Sequence, residues 1–264
     1  MDLKKSLFIL PNLLTTASLF CGVYAILRCA SPDVTDDTVY ESSILLLYAF
    51  LFDLFDGRVA RMTRTQSKFG VEFDSLADLI SFGVAPALIA YRFALTDSGL
   101  AGIFVCFLYV LAGAIRLARF NVLSHFPRED SQAPGKYMLG LPIPMAAAFV
   151  VALVVATRAM GGWPWMTQHG LTIKGIGYPM MAVVLVLLAL LMVSSIRFRS
   201  FKDLELGATS IVLLVLVAAS SAVLWLWYSP AYILICLLLV YVGMGFVEAI
   251  AFWPRRRQRR KNDA

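Results

Sequence analysis

The sequence predicts an all-α protein, a polytopic transmembrane helical bundle of about eight spans. Three observations carry that expectation. Of 264 residues, 60% are hydrophobic and only 15% are charged, against about 45–50% and about 25% in a soluble domain. The apolar excess is gathered into blocks of about twenty residues, the length that crosses a bilayer as a helix. The basic residues fall in alternate connections between those blocks, the distribution that membrane insertion imposes. A soluble enzyme, a disordered chain and a secreted disulfide scaffold are excluded on these grounds.

The first span, about 7–28, follows Lys4 and Lys5. Its flanks faintly resemble a cleaved leader. Pro11 and Asn12 interrupt the apolar run early, however, and bulky Phe20 stands where cleavage needs a small residue. The segment is therefore expected to remain as a transmembrane helix. Further apolar segments follow at about 41–61, 72–93, 99–120, 139–158, 177–196, 208–228 and 230–252.

An even count returns both termini to one side. The connections on that side hold all but four of the 23 Lys and Arg residues; the exceptions are Arg28, Arg92, Arg158 and Lys174. This asymmetry predicts cytoplasmic termini, with the acidic loop of Asp33, Asp36, Asp37 and Glu41 outside. The chain reads as a single integral membrane domain, 1–264, with a core of about 1–200, an added helix pair of about 208–252 and a basic tail at 254–264. The tail serves as a topology anchor or meets anionic lipid head groups. Topology accounts for the net charge of +6, so no nucleic-acid partner is expected. Cys21, Cys29, Cys106 and Cys236 show no CxxC spacing and read as small buried hydrophobes. His125 and His169 are expected in loops and form no ligand pair.

Asp53 and Asp56 lie near the end of the second span, and Asp74 and Asp78 open the third. Each acid in a membrane helix costs at least about 2.5–3.5 kcal/mol on insertion scales. Asp53, Asp56, Gly57, Ala60 and Arg61 follow the i, i+3, i+4, i+7, i+8 pattern of one helical face. Asp74 and Asp78, at i and i+4, share another. A short turn brings the two acidic faces together at one depth. Four gathered carboxylates repel, and one or two divalent cations relieve that repulsion. Oxygen-only ligands select a hard ion, Mg²⁺ or Mn²⁺, over Zn²⁺. Open metal positions then suit a phosphate-bearing substrate. Gly57, Ala60 and Gly70 remove bulk from the acidic face, and Arg61, one turn away, is placed to neutralise a phosphate.

Asp53-x2-Asp56-Gly57-x2-Ala60-Arg61-x8-Gly70-x3-Asp74-x3-Asp78 resembles the signature of the CDP-alcohol phosphotransferases, with all fixed positions at matching spacings. The resemblance implies that Asp53, Asp56, Asp74 and Asp78 contribute to the metal site and that Asp78 is also the general base. It implies CDP contacts from Gly57, Ala60, Arg61, Ser67 and Gly70. Pro11-Asn12-Leu13-Leu14-Thr15 is similar to the family's PNxxT element, so Asn12 and Thr15 are expected at the nucleotide end.

Three further segments, Arg116–Asn121, Gly140–Pro144 and Ser195–Lys202, resemble those of bacterial members that use serine. The implied reaction is transfer of the phosphatidyl group from CDP-diacylglycerol to L-serine, with release of CMP. Serine's carboxylate calls for a cation beyond Arg61. Arg116, Arg119 and Arg197 lie at expected cytoplasmic ends and offer bidentate guanidinium forks; Asn121 belongs to the same segment. The resemblance further implies a homodimer; the Lys and Arg asymmetry, the basic tail and the compact spans suit a bacterial inner membrane, in contact with its lipid and with the site facing the cytoplasm. The nearest rival reading keeps the chemistry and changes the acceptor to glycerol 3-phosphate or an inositol phosphate. An ion-coupled transporter also uses intramembrane acids, but here they cluster at one surface with no matching set in the other half.

Overall fold

The computed structural model describes residues 3–63, 67–125, 137–159, 173–194 and 196–199. Helix α1 (Leu3–Ala30) turns through five residues into α2 (Asp36–Thr63), and the two pack along their length. The turn is fixed by reciprocal capping: Thr38 N donates to Thr35 Oγ1 at 3.2 Å, and Thr35 N faces Thr38 Oγ1 at 3.4 Å. Asp36 and Asp37 in the first turn of α2 complement its positive end. Pro11 does not end α1; the helix runs through it.

After α2, Ser67 starts α3 (Lys68–Asp78) by accepting the N–H of Gly70 at 2.9 Å. The rod continues as a π-helical segment (Leu79–Val84), α4 (Ala85–Ala90) and a second π-helical segment (Tyr91–Leu95). The first π segment precedes Pro86, which lacks an N–H and frees the carbonyl four residues earlier. That carbonyl, on Phe82, accepts the hydroxyl of fully buried Tyr109 at 3.2 Å. A turn at Thr96–Ser98 and Gly99, at φ +54°, reverses the chain into α5 (Gly99–His125). Helix α5 runs back antiparallel to the rod: Cys106 Sγ donates to Ala87 O at 3.3 Å, and Asn121 reaches Ser75.

A strand β1 (Tyr137–Leu139) precedes α6 (Ile143–Ala159), and α7 (Ile173–Val193) is followed by β2 (Arg197–Arg199). The strands pair antiparallel, Tyr137 with Arg199 and Leu139 with Arg197. Gly140 N donates to Ile196 O at 2.9 Å, and Leu141 N to Leu191 O at 3.0 Å. Gly140 has φ +76°, and a Cβ there would lie 2.1 Å from Met192 O. The described fold is helical as expected, with this one short two-stranded sheet added, and the expected 139–158 helix starts at Ile143. His125, expected in a loop, is the last residue of α5.

Helix α6 is the centre of the bundle. Ala146, Ala147, Val150, Val151 and Val154 are almost wholly buried, and α2, α7, α4 and the first π segment pack around it. Its alanines allow close approach of neighbouring helices. The outer faces are apolar instead, with Phe20, Leu27, Phe104, Phe107, Leu187 and Leu190 all exposed. Pro11–Ala30, Asp36–Val59 and Phe69–Leu123 are long and apolar enough to cross a membrane, and Ile143–Arg158 and Met180–Val193 are shorter apolar helices. The expected spans 208–228 and 230–252 and the tail at 254–264 lie outside the described residues, as do Cys236 and His169.

Candidate active site

The acids of α2 and α3 meet near one end of the bundle. Asp53 and Asp56 lie about two turns before the end of α2, and Asp74 and Asp78 occupy the last two turns of α3. One carboxylate oxygen each from Asp53, Asp56 and Asp74 lies within 4.8 Å of the others. Asp78 stands beside this trio, within hydrogen-bonding reach of Asp53. Three ionised carboxylates so close would repel by about 3.5 kcal/mol or more per pair at an effective dielectric near 20. Asp56 is buried, and the others are half-buried.

The ligand chemistry fits a hard divalent ion. All donors are carboxylate oxygens, and Asp74 Oδ1 is buried with no hydrogen-bond partner among the described residues. An oxygen in that position calls for a cation, since an unsatisfied buried acceptor costs about 1–3 kcal/mol and a charged one more.

Helix α1 supports the cluster. Thr15 Oγ1 lies 2.7 Å from Asp56 Oδ2 and 3.2 Å from Pro11 O. Its single proton goes to the carboxylate, the shorter and charge-assisted contact. Asn12, Ser67 and Gly70 converge beside it: a Cβ on Gly70 would meet Ser67 Oγ at 3.1 Å and Asn12 Oδ1 at 3.3 Å. The residues expected at the nucleotide end thus come from three places in the sequence to one corner. Half-buried Gly57 adjoins Asp56 on α2, and Ala60 and Arg61 extend the same helix by one turn. The side chains of Ala60 and Arg61 are not among those described.

The residues expected at the acceptor end are only partly gathered. Arg116 of α5 is buried and close enough to Asp78 to attract its charge. Arg119 is half-buried one turn further along α5. Asn121 Nδ2 donates to Glu72 Oε2 at 2.9 Å, and its Oδ1 lies 3.2 Å from Ser75 Oγ. Arg197 is held in β2 opposite Leu139, and its side chain is not described. Glu72 and Ser75 escaped sequence reasoning because they lie off the acidic face of α3; their i, i+3 spacing on a face turned to α5 was the available signal.

The opposite end of the bundle carries ordinary surface pairs. Arg28 pairs with Glu41, Arg158 pairs with Asp37, and Arg92 Nε donates to Cys29 O at 2.8 Å.

Fold and site together define a helical bundle of membrane character, with an all-carboxylate cation-binding constellation on two adjacent helices. The chain belongs to the CDP-alcohol phosphatidyltransferase family, whose model matches residues 8–174. It is similar to a CDP-diacylglycerol–serine O-phosphatidyltransferase of Helicobacter pylori, 40% identical over 199 residues that make up 75% of each chain. It is also 38% identical over 152 residues to the Saccharomyces cerevisiae enzyme of that name, covering 56% of this chain and 54% of the relative. An archaetidylserine synthase of Methanothermobacter thermautotrophicus is 42% identical over 152 residues, 56% of this chain and 59% of the relative.

Proposed function

We propose that the protein transfers the phosphatidyl group of CDP-diacylglycerol to the hydroxyl of L-serine, giving phosphatidylserine and CMP. The observation that carries this reading is the meeting of Asp53, Asp56 and Asp74 within 4.8 Å on two helices. Family membership and the serine-specific name of the Helicobacter relative support the choice of chemistry and acceptor.

Asp53, Asp56 and Asp74, with Asp78 beside them, would hold Mg²⁺ or Mn²⁺. Such an ion neutralises diphosphate charge and stabilises the charge that develops on the leaving CMP. Asn12, Thr15, Gly57, Ala60, Arg61, Ser67 and Gly70 form the CDP corner, where small residues admit the nucleotide close to the backbone. Serine's hydroxyl oxygen attacks the phosphorus that bears diacylglycerol. The new phosphorus–oxygen bond replaces the one to CMP, and Asp78 receives the hydroxyl proton. Arg116, Arg119, Asn121 and Arg197 form the acceptor end, where a guanidinium pairs with the serine carboxylate. No covalent enzyme intermediate is required.

The domain arrangement follows the same reading: a core of about 1–200 in a single integral membrane domain, a further helix pair at about 208–252 and a basic tail at 254–264. The exposed apolar helix faces suit contact with lipid and with a second copy of the chain. The distribution of Lys and Arg supports cytoplasmic termini and a cytoplasmic site in a bacterial inner membrane.

The test is CMP release by purified protein in detergent with CDP-diacylglycerol and Mn²⁺ or Mg²⁺. Serine, glycerol 3-phosphate and inositol phosphate are supplied in turn. Release with serine alone, abolished by EDTA, is the expected result. Release with another acceptor alone discards serine and keeps the chemistry, and no release with any acceptor discards both.

A further inference from the structure

One helical turn below the acids lies a layer of hydroxyl-to-backbone contacts that the reaction does not use. Ser18 Oγ of α1 donates to Ala49 O of α2 at 3.0 Å. Ser81 Oγ, from the π segment after α3, donates to Ser18 O at 3.2 Å. All three residues are buried. The crossing is as close as backbones permit: a Cβ on Gly22 would lie 2.5 Å from Ser81 Oγ and 2.7 Å from Ser81 Cα. Phe82 stacks on Phe50 beside it, with ring centroids 4.6 Å apart.

The register of this layer matches that of the site. Ser81 is three residues beyond Asp78, Ser18 three beyond Thr15, and Ala49 four before Asp53. Each spacing is about one turn, roughly 5 Å along a helix. The three helices that supply Asp78, Thr15 and Asp53 are therefore pinned together immediately beneath them. Each pin ends on a backbone carbonyl, so it fixes the axial position of a helix rather than of a mobile side chain.

We propose that Ser81 and Ser18 are positioning residues that set the register of the Asp74–Asp78 face against the Asp53–Asp56 face and so hold the carboxylates at metal-binding separation. The inference rests on the metal reading given above. It needs the two serines because gathered carboxylates repel one another, so the two acidic faces gain from a fixed backbone contact before an ion arrives. The π segment adds a reason of its own. Its wider turn shifts the helical phase after Asp78, so the face of the rod needs a fixed contact to define it. Ser43 supplies the contrast. It is buried too, but its hydroxyl donates within its own helix, to Val39 O at 2.9 Å.

The test is Mn²⁺ titration by electron paramagnetic resonance on the full chain in detergent, without CDP-diacylglycerol, normalised to folded protein. Ser81→Ala and Ser18→Ala are compared with Ser43→Ala, and thermal unfolding of each is recorded in EDTA. The expected result is an Mn²⁺ Kd raised about tenfold in Ser81→Ala and in Ser18→Ala, with Ser43→Ala at the wild-type value. Equal Kd values for Ser81→Ala, Ser18→Ala and Ser43→Ala overturn the positioning role while leaving the metal site in place. Loss of Mn²⁺ binding in proportion to lost thermal stability in all three variants also overturns it, since that reports general packing. A wild-type protein that binds no Mn²⁺ overturns the metal reading itself.

Discussion

Thr15 of α1 donates a hydrogen bond to Asp56 of α2 across 2.7 Å, between two buried side chains 41 residues apart. This contact ties the Asp56 carboxylate to helix α1. Groups that orient a metal ligand from behind typically contribute 10–100-fold in metal affinity or activity. Thr15→Val, close in shape but without the donor, is expected to raise the Mn²⁺ concentration needed for half-maximal CMP release by about tenfold or more. Thr15→Ser is expected to stay near wild type. A raised KM for CDP-diacylglycerol with unchanged metal dependence would assign Thr15 to the nucleotide instead.

Asp74 and Asp78 sit one turn apart on α3 with different surroundings. Asp74 belongs to the close trio, while Asp78 lies within hydrogen-bonding reach of Asp53 and near enough to Arg116 to feel its charge. Asp78→Asn is expected to reduce kcat by about 10²–10⁴, the range for a lost general base, while Mn²⁺ remains bound. Asp74→Asn is expected to lose Mn²⁺ binding as well. Paired turnover and Mn²⁺ titrations check this, and equal loss of Mn²⁺ in both variants would make Asp78 a ligand first.

Tyr109 and Pro86 form a compensating pair. Proline withholds the N–H that the Phe82 carbonyl would meet, and the Tyr109 hydroxyl supplies the missing proton from α5. Tyr109→Phe leaves that carbonyl without this donor in a buried setting and is expected to destabilise the protein by about 1–3 kcal/mol. Thermal unfolding in detergent reads the effect. Tyr24→Phe, at an exposed position, serves as the control and should leave the midpoint unchanged.

Gly140 joins the two-stranded sheet to α6 with φ +76°, and Met192 O lies only 2.1 Å from where its Cβ would be. Gly140→Ala is expected to cost more than the roughly 1–3 kcal/mol of a strained backbone alone, because the carbonyl must also move. Folded yield and unfolding midpoint should both fall sharply. A variant with the midpoint of the parent would show that the junction between α6 and α7 relaxes freely.

The positions of the helices were legible because hydropathy is a property of the chain itself. The apolar blocks at about 7–28, 41–61, 72–93 and 99–120 correspond to α1, α2, the rod from Lys68 to Leu95, and α5. The acidic faces were legible for a related reason: i, i+3 and i, i+4 neighbours share a face in any helix. Tyr137–Leu139 and Arg197–Arg199 were not legible as strands, since three residues show no period and their partners lie 60 residues away. The centrality of α6 was also hidden, because a helix that is apolar all round reads the same whether lipid or protein surrounds it.

The sequence by itself determined that the chain is helical, that acids occur in two pairs each on one helical face, and that small residues flank them. Those are local facts, set by composition and by the 3.6-residue period. Only the tertiary structure decided that three acids meet while Asp78 stands beside Asp53 and Arg116. It alone brought Asn121 to Glu72, Thr15 to Asp56 and Ser81 to Ser18. The physical reason is that helix-to-helix register depends on which backbones can approach, and that is settled by contacts such as Gly22 against Ser81, between residues far apart in the chain.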